Sequence, residues 1–346
     1  MAEHLLPAAL TLFLWWFTTG AILYLDGMRR ETFRWSLGAA TLLLALAAWG
    51  LHASAADATP AGAILAFGCG LAVWGWLELT FLTGVITGPE RSPCPPGLTG
   101  WPRFRRATLA VLHHELAILL AAAAVAGLTW GGPNMAGLFT VLLLWGMRLS
   151  AKLNLFLGVR NLNAEFLPDH LRYLGTYFGR RPTNPLLPFS LLGSVGVAAL
   201  LLAEAFAPGA SPPGGEAFHA VAFTLLGTLA ALGALEHAFM VVPLPATTLW
   251  GWGFRSRAWS TELEGSCDPG GLERLLHAVA RGSFGPVDQL EGEARAGNGW
   301  VRFYVAGGQP SLAAMAPRDD GAQRVTAVGR VDGSRLRAAF EACAAA

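Results

Sequence analysis

The sequence predicts an all-α polytopic membrane bundle of about seven transmembrane helices, followed by a small α+β appendage. Of the 346 residues, 53% are hydrophobic and only 14% are charged, whereas a soluble domain carries about a quarter charged residues. Seven segments are apolar over the roughly 20 residues that a spanning helix needs. The C-terminal part of the chain is polar instead, which separates the appendage from the bundle.

The seven apolar segments define the predicted helices. They are 5–25, 36–55, 61–86, 107–130, 135–157, 187–206 and 217–241. The turns after the second and fourth helices, Asp57–Pro60 and Gly131–Asn134, are short and polar, so the helices that they join should be antiparallel neighbours. The first segment lacks a basic n-region and a small-residue cleavage site before Asp26, which favours a retained helix over a signal peptide.

The arginines predict the orientation of the bundle. They collect in the connections on one side, at Arg29, Arg30, Arg34, Arg91, Arg103, Arg105, Arg106, Arg160, Arg172, Arg180, Arg181, Arg255 and Arg257. The other side, with the N-terminus and the turns near Asp57, Pro133 and Pro212, has no lysine or arginine. Because basic loops face the cytoplasm, we expect a multi-pass inner-membrane protein with its N-terminus outside and its C-terminus in the cytoplasm.

Charge and cysteine usage exclude several classes. The net charge is +1, so nothing indicates nucleic acid as a partner. The four cysteines, Cys69, Cys94, Cys267 and Cys343, form no CxxC pair, which predicts neither a disulfide framework nor a cysteine metal site. The lipid bilayer is therefore the first partner that the composition implies.

Tryptophans fall into two groups. Those near predicted helix ends, where an indole can be half hydrated, are Trp35, Trp49, Trp101, Trp130 and Trp250. Trp15 and Trp16 lie in the middle of the first helix, where they pack on neighbouring helices or on a flat ligand, and packing is the favoured interpretation.

Two segments are too polar to span the membrane. In 160–178, apolar residues recur at helical spacing, which predicts an amphipathic helix on the membrane surface or packed on the bundle. Residues 255–346 form the predicted cytoplasmic α+β appendage and carry no catalytic or nucleotide motif. Its predicted elements are a helix that begins near Leu272 and ends at Gly282, strands at 301–305, 312–316 and 325–331, and a final helix, 334–345, capped by Asp332 or Ser334.

Ionisable and polar residues inside the predicted spans mark a candidate intramembrane site. They are Glu78, His113, His114, Glu115, Arg148, Lys152, Asn154, Glu236 and His237. Their positions along the alternating helices place them in one layer, the cytoplasmic half, whereas Glu204 lies near the outer end of its helix. We therefore expect one polar site between the third, fourth, fifth and seventh helices.

Helix geometry limits which of these residues face that site. Successive residues are about 100° apart, so His113, His114 and Glu115 cannot all point inward. Arg148 and Lys152, four residues apart, share one face of the fifth helix. Ser150 and Asn154 share the roughly opposite face, which predicts a central position for the fifth helix.

Three interpretations of the polar layer stay open. In the first, the layer is a structural ion-pair network, in which Glu78, Glu115 and Glu236 offset Arg148 and Lys152. In the second, it is a carboxylate-rich metal centre, although the Glu-x-x-His spacing of di-iron bundles is absent. In the third, it is a tetrapyrrole site, with His114, His113 or His237 as the ligand of the central metal. Separately, Gly84-x-x-x-Gly88 indicates either close helix contact or a loop boundary.

Several blocks carry a family resemblance. They are LFLWWFTTGAILYLDG at 12–27, FRWSL with the later LHASAADATPAG, WPRFRRAT with HHELA, MRLSAKLNLFLGVRNLNAEFLPDHLRYL at 147–174 and LEHAFMVVPLP at 235–245. Together they span nearly all of residues 1–254, the membrane part. This part resembles the PuhE-type family of photosynthetic complex assembly proteins of purple phototrophic bacteria.

The resemblance implies a non-enzymatic factor that helps to build the reaction centre and its core antenna. Its partners would be subunits of those complexes and other assembly factors, and it would bind or hand over bacteriochlorophyll or a precursor. The resemblance carries no catalytic residues. Two alternatives stay open: a membrane enzyme with a His/Glu metal centre that acts on a pigment or lipid, and a transporter of a pigment precursor.

Overall fold

The computed structural model describes residues 2–162, 167–207, 215–242, 249–253, 258–285, 287–306, 308–316, 323–329 and 331–344. The chain divides into two compact units, Met1–Trp250 and Gly251–Ala346. The predicted turn at Pro212, the arginines Arg255 and Arg257, and residues 163–166 lie outside the described residues.

Within the described residues, seven helices of the first unit are long and apolar enough to cross a membrane, which confirms the predicted membrane-spanning bundle. They are α1 Ala2–Asp26, α2 Phe33–Ser54, α3 Pro60–Leu82, α4 Gly100–Leu128, α5 Ala136–Leu157, α6 Leu187–Ala205 and α7 Glu216–Phe239. Two helix ends differ clearly from the prediction. Helix α3 ends before residue 86. Helix α4 begins well before residue 107, because its first turns are basic and lack the apolar pattern of a spanning segment.

The two short polar turns are joined by one side chain. The Asn134 side-chain amide donates to the carbonyls of Ser54 and Asp57, both at 3.1 Å. Its side-chain oxygen accepts from the Ala136 amide at the start of α5. Thr59 caps α3 by accepting from the Gly62 amide at 3.1 Å, as expected for a threonine before a proline at the first helical position. These bonds fix the α2–α3 turn against the α4–α5 turn.

The glycine pair after α3 belongs to a loop. Gly84 has φ +80°, a conformation that favours glycine, so the helix ends before it. Gly88 lies directly against α4: a Cβ atom there would come within 2.7 Å of the backbone oxygen of Ala110. The loop-boundary interpretation is therefore the correct one, and the close contact is between a loop and a helix.

The segment 160–178 does not form the continuous amphipathic helix that its pattern predicts. Of its described residues, Asp169–Leu171 form a 3-10 turn and Arg172–Gly175 a single α-helical turn. Pro168 explains the difference, since a proline restricts the residue before it and cannot donate a helical hydrogen bond. The apolar residues still point inward, and Leu171 and Leu174 are buried against α3 and α4 residues.

Most of the tryptophans expected at helix ends are exposed, as an interfacial indole requires. Trp35, Trp49, Trp101 and Trp130 are between 71% and 85% exposed. Trp250 is the exception, because only 4% of it is exposed. Its indole donates to the Trp16 carbonyl at 2.9 Å, so the prediction of an interfacial position is wrong for this residue.

The second unit is a five-stranded antiparallel sheet with two helices. Its elements are β1 Ala258–Glu262, α8 Pro269–Ala280, β2 Val287–Ala296, β3 Gly299–Ala306, β4 Gln309–Met315, β5 Arg324–Gly329 and α9 Gly333–Ala344. The strand order is β1-β5-β2-β3-β4. Apolar residues of α8 and α9, among them Leu276 and Phe340, pack on Leu290, Phe303 and Val325 of the sheet. Strands β1 and β2 were not predicted.

Both helices of this unit are capped by aspartates. Asp268 accepts from the Gly271 amide at 2.7 Å. Asp332 accepts from the Arg335 amide at 3.1 Å and from the Ser334 hydroxyl at 2.7 Å. Of the two predicted caps for the last helix, Asp332 is therefore the one used. The Ser334 hydrogen bond lowers the pKa of the Asp332 carboxyl, so the cap stays ionised and suits a helix N-terminus.

Gly70 provides a test of how closely α3 and α5 pack. A Cβ atom there would lie 2.7 Å from the Gly137 carbonyl oxygen, whereas at Gly68, on the same helix, it would meet nothing within 4 Å. We expect Gly70→Ala to destabilise the bundle by about 1–3 kcal/mol and Gly68→Ala to leave it unchanged or slightly more stable. Thermal unfolding of the purified variants in mild detergent measures both, and equal melting temperatures would contradict the contact.

Candidate functional site

Two ion pairs join α5 to its neighbours inside the bundle. Arg148 Nη2 lies 2.8 Å from Glu78 Oε2 of α3, and Lys152 Nζ lies 2.5 Å from Glu115 Oε1 of α4. The Trp145 indole donates to the second oxygen of Glu115 at 3.2 Å. Because Arg148 and Lys152 are one helical turn apart on α5, one face of this helix holds both carboxylates.

His114 lies between these pairs and is fully buried. Its Nε2 is 4.0 Å from Glu78 Oε1, and its ring is 4.4 Å from the Phe81 ring, centroid to centroid. Neither ring nitrogen has a hydrogen-bond partner among the described residues. The His114 backbone amide donates to the Thr87 carbonyl at 2.9 Å, so the loop after α3 is fastened beside this histidine.

The opposite face of α5 carries a second polar network. The Ser150 hydroxyl is 2.9 Å from His237 Nε2, and His237 Nδ1 is 2.8 Å from the Gly233 carbonyl oxygen. A carbonyl only accepts, so Nδ1 carries the proton and Nε2 accepts from Ser150. The Asn154 amide donates to Ser190 of α6 at 2.8 Å. Helix α5 contacts α3, α4, α6 and α7. The spans of α3 and α7 are more deeply buried than that of α5, so these two helices, rather than α5, are the most central.

Glu236 differs from the other two carboxylates. The Trp15 indole of α1 donates to Glu236 Oε1 at 2.7 Å. Within the described part of the chain, no cation lies within ion-pair distance of Glu236. Trp15 therefore serves as a hydrogen-bond donor as well as a packing residue, and Glu236 is outside the ion-pair network in which the sequence placed it.

In the structure, the nine predicted site residues fall into separate groups, of which Glu236 with its Trp15 contact is one. Those linked around Phe81 are Glu78, His114, Glu115, Arg148 and Lys152. Asn154 and His237 belong to the network on the other face of α5. His113 is exposed on α4 and makes no hydrogen bond to any described residue. Their function as one site stays a prediction.

A cavity of about 410 Å³ lies beside the ion pairs. Glu78, Arg148, Lys152 and Glu236 line it. The rest of its described lining is mainly apolar, with Thr18, Thr19 and Asn161 as polar exceptions. It is rich in aromatic rings, namely Trp15, Trp74, Phe81, Phe156, Tyr177, Phe178, Phe239 and Trp250. Among its described lining residues there is no histidine. The cavity therefore combines aromatic and aliphatic surface with charged side chains.

Loop residues that the sequence did not single out complete the cavity wall. The Asn161 side-chain amide donates to the carbonyls of Phe239 and Val242, at 2.9 and 2.7 Å. Asn161 thereby fastens the chain after α5 to the end of α7. Nothing in the local pattern marked it, because its partners are backbone atoms distant in sequence.

Tyr177 forms another part of this wall. Its hydroxyl donates to the Ser92 carbonyl at 3.1 Å, and Arg103 donates to its backbone carbonyl at 2.7 Å. Burial raises the pKa of the Tyr177 hydroxyl, so the side chain stays neutral and can donate. The loops on the arginine-rich side are thus ordered around the cavity by hydrogen bonds.

The geometry of the possible donor side chains gives little support to a metal centre. Nowhere in the described ranges do three or more His, Cys, Asp or Glu side chains come close enough together to hold a metal ion. His237 uses both ring nitrogens in hydrogen bonds, and Glu78 and Glu115 each hold a cation. Of the donors expected of such a centre, His237, Glu78 and Glu115 are therefore engaged elsewhere, and among the described residues His113, His114 and Glu236 do not join them in a metal-binding cluster.

Comparison with known proteins shows the family of the membrane part. Residues 1–261 match the family described as "Protein of unknown function (DUF3623)". The chain belongs to this family. It is also 40% identical, over 256 residues, to a protein of Rhodobacter capsulatus described as "Uncharacterized 30.4 kDa protein in puhA 5'region". That match covers 71% of this chain and 89% of the relative, whereas no solved structure matches.

The ion pair between Glu115 and Lys152 in this DUF3623 protein can be tested by a double-mutant cycle. Each side chain is only about one-fifth exposed, at 21% and 20%. We expect Lys152→Met or Glu115→Gln alone to destabilise the bundle by about 3 kcal/mol, because a charge is left without its partner. The double variant, which removes both charges, should recover most of that loss. Thermal unfolding in detergent gives the four values, and a double variant as unstable as the sum of the single ones would contradict the pairing.

Proposed function

We propose that this protein is a non-enzymatic membrane factor for assembly of the photosynthetic reaction centre and its core light-harvesting complex. The observation that carries the proposal is the relative in the puhA 5' region, which is 40% identical over most of both chains. This location agrees with the PuhE-type resemblance of the sequence blocks. Seven apolar helices give the protein the membrane location in which pigment–protein complexes are built.

The interior chemistry favours an assembly factor over the enzyme alternative. Buried charges that face each other at 2.8 and 2.5 Å are stabilised as pairs and hold α5 in place. A catalytic acid, base or metal ligand must instead be available to a substrate. Glu78 and Glu115 are engaged with cations, and His237 is engaged with Ser150. The second candidate, a metal-dependent membrane enzyme, would need donors that these interactions already use.

For pigment contact, His113 is the available imidazole. His114 is enclosed and His237 is doubly hydrogen-bonded, whereas His113 is exposed and makes no hydrogen bond within the described residues. A neutral imidazole can ligate the central metal of bacteriochlorophyll or of a metallated precursor. The proposal therefore places pigment contact on the outer surface of α4, where a partner subunit can share or receive the pigment.

The proposed orientation follows from the arginines. Because basic loops face the cytoplasm, the N-terminus would lie outside and the unit Gly251–Ala346 in the cytoplasm. The bundle would lie in the inner membrane. Arg103 and Arg106, at the start of α4, are anchored by Tyr177 and Glu90 on that side. The C-terminal unit then lies on the side where new subunits are synthesised.

Reporter fusions test this orientation. Green fluorescent protein attached after Ala346 should fluoresce, because it folds in the cytoplasm, and alkaline phosphatase at the same place should be inactive. Alkaline phosphatase attached after Gly131, in the turn before α5, should be active. The reverse pattern would overturn the orientation and the cytoplasmic position of the C-terminal unit.

The assembly function is tested in Rhodobacter capsulatus by deleting the gene of the 40% identical relative. We expect lower reaction-centre and core-antenna absorption per unit of membrane, restored by the present chain. His113→Leu should restore it poorly, since the pigment ligand is lost, whereas His52→Leu, at an exposed position on α2, should restore it fully.

Two outcomes of that experiment would contradict the proposal. Unchanged absorption after deletion would remove the role in assembly. Accumulation of one pigment precursor, with complex formation restored by added pigment, would favour the enzyme instead. Immunoblots of both variants are needed, so that poor restoration by His113→Leu is read at equal protein levels.

A further inference from the structure

We propose that the 410 Å³ cavity binds a lipid-soluble quinone, through hydrogen bonds from Arg148 and Lys152 to its carbonyl oxygens. The argument rests on unused donors, charge balance and the shape of the wall. It is independent of the proposed assembly function, which needs no ligand in this cavity.

The cavity wall has more hydrogen-bond donors than the bundle uses. A lysine ammonium has three N–H groups and an arginine guanidinium five. Lys152 donates to Glu115 and Arg148 to Glu78, and no further acceptor for either is found among the described residues. The Arg148 Nε atom is buried without a partner. Donors that face an apolar cavity without acceptors are costly, so the ligand should carry acceptor oxygens.

Charge balance favours a neutral ligand. Each cation is already offset by a carboxylate, at 2.8 Å for Arg148 and 2.5 Å for Lys152. Glu236 adds a third carboxyl group to the same wall. An anionic ligand would therefore be repelled by the two carboxylates that already hold the cations. A cationic ligand would offer no acceptor to the free N–H groups. Neutral carbonyl oxygens meet both conditions.

The wall fits a flat ring. Trp15, Trp74, Phe81 and Trp250 supply aromatic surface, on which a conjugated ring stacks or packs edge-on. Leucine and isoleucine side chains such as Ile22 and Leu71 line the remainder and suit a hydrocarbon tail. A ring with neutral carbonyls and an apolar tail describes a lipid-soluble quinone.

A carbonyl-bearing tetrapyrrole shares part of this chemistry but fits less well. No histidine is among the described residues that line the cavity, so none of them offers an imidazole to a central metal. A volume of about 410 Å³ is also near the lower end of the roughly 300–1,000 Å³ of small-molecule sites. One quinone ring fits this volume more readily than a substituted macrocycle.

Binding can be measured with the purified full-length protein in mild detergent, with decylubiquinone as the probe. Trp15, Trp74 and Trp250 line the cavity, so a bound quinone should quench tryptophan fluorescence with saturation at one quinone per protein. Solvent extraction of the protein as purified, with absorption and mass spectra of the extract, should recover quinone and identify any tetrapyrrole.

Charge-balanced variants remove the donors without leaving a lone charge. Glu115→Gln with Lys152→Met, and Glu78→Gln with Arg148→Met, should each weaken decylubiquinone binding at least tenfold. Glu204→Gln also removes a carboxylate, but at a half-exposed position outside the cavity, and should leave binding unchanged.

Gly75→Leu keeps the proposal testable if a charge-balanced variant fails to fold. Gly75 lines the cavity, and a Cβ atom there would meet nothing within 4 Å. The added side chain should fill the cavity and abolish saturable quenching while the protein stays folded.

Three results would overturn the proposal. They are quenching that never saturates, equal affinity in Gly75→Leu and the unsubstituted protein, and extraction of a tetrapyrrole instead of a quinone. The assay uses no photosynthetic partner. Its failure therefore leaves the assembly phenotype untouched, and a missing assembly phenotype leaves quinone binding untouched.

Discussion

The bundle depends on the need to neutralise two cations inside the membrane. A lone Arg or Lys at the centre of a spanning helix costs about 2.5–3.5 kcal/mol by insertion scales, and more by other estimates. In this protein both lie on α5, and each finds its carboxylate on a different helix, Glu78 on α3 and Glu115 on α4. The rotation and depth of three helices are therefore coupled, since a shift of any one would separate a pair. Apolar side chains facing lipid cannot impose such a constraint.

Close packing reinforces this coupling at the other end of the same helices. Gly70 of α3 and Gly137 of α5 let the two backbones approach, as small residues commonly do in membrane bundles. Asn134 then ties the turn before α5 to the turn before α3. The contact between α3 and α5 is thus fixed by shape at one end and by charge at the other, and the cavity lies near the charged end, where the packing is less tight.

Local patterns predicted the spans but could not predict the partners. Hydropathy located seven helices because each must be apolar over its own length, and the layer of charges followed from helix direction. The pairing of Arg148 with Glu78 rather than with Glu236 depends on the relative rotation of α3, α5 and α7, which no single segment encodes. The same holds for Asn161, whose partners are backbone carbonyls at the end of α7.

The C-terminal unit shows a different limit. Strand β2 buries Leu290, Gly292, Ala294 and Ala296 on alternate positions, but two alanines and a glycine give little hydrophobic signal. The glycine is required because the Phe303 ring of β3 occupies the place of its side chain, within 2.3 Å of a Cβ atom. A large side chain on one strand thus requires a small residue on the neighbouring strand. The strand with small residues then lacks the alternation of large apolar side chains by which a strand is predicted.

The histidines illustrate why residue type alone misdirects an inference about the site. Imidazoles inside a membrane suggest metal or tetrapyrrole ligands, yet His237 holds α7 to α5 through Ser150, and His114 is enclosed between Phe81 and Glu78. The described polar groups that line the cavity include those of Glu78, Arg148 and Lys152. Pairing offsets their charges but leaves N–H groups to spare. The proposed ligand would be selected by its hydrogen-bond acceptors and ring shape, because no imidazole of the described residues lines the cavity.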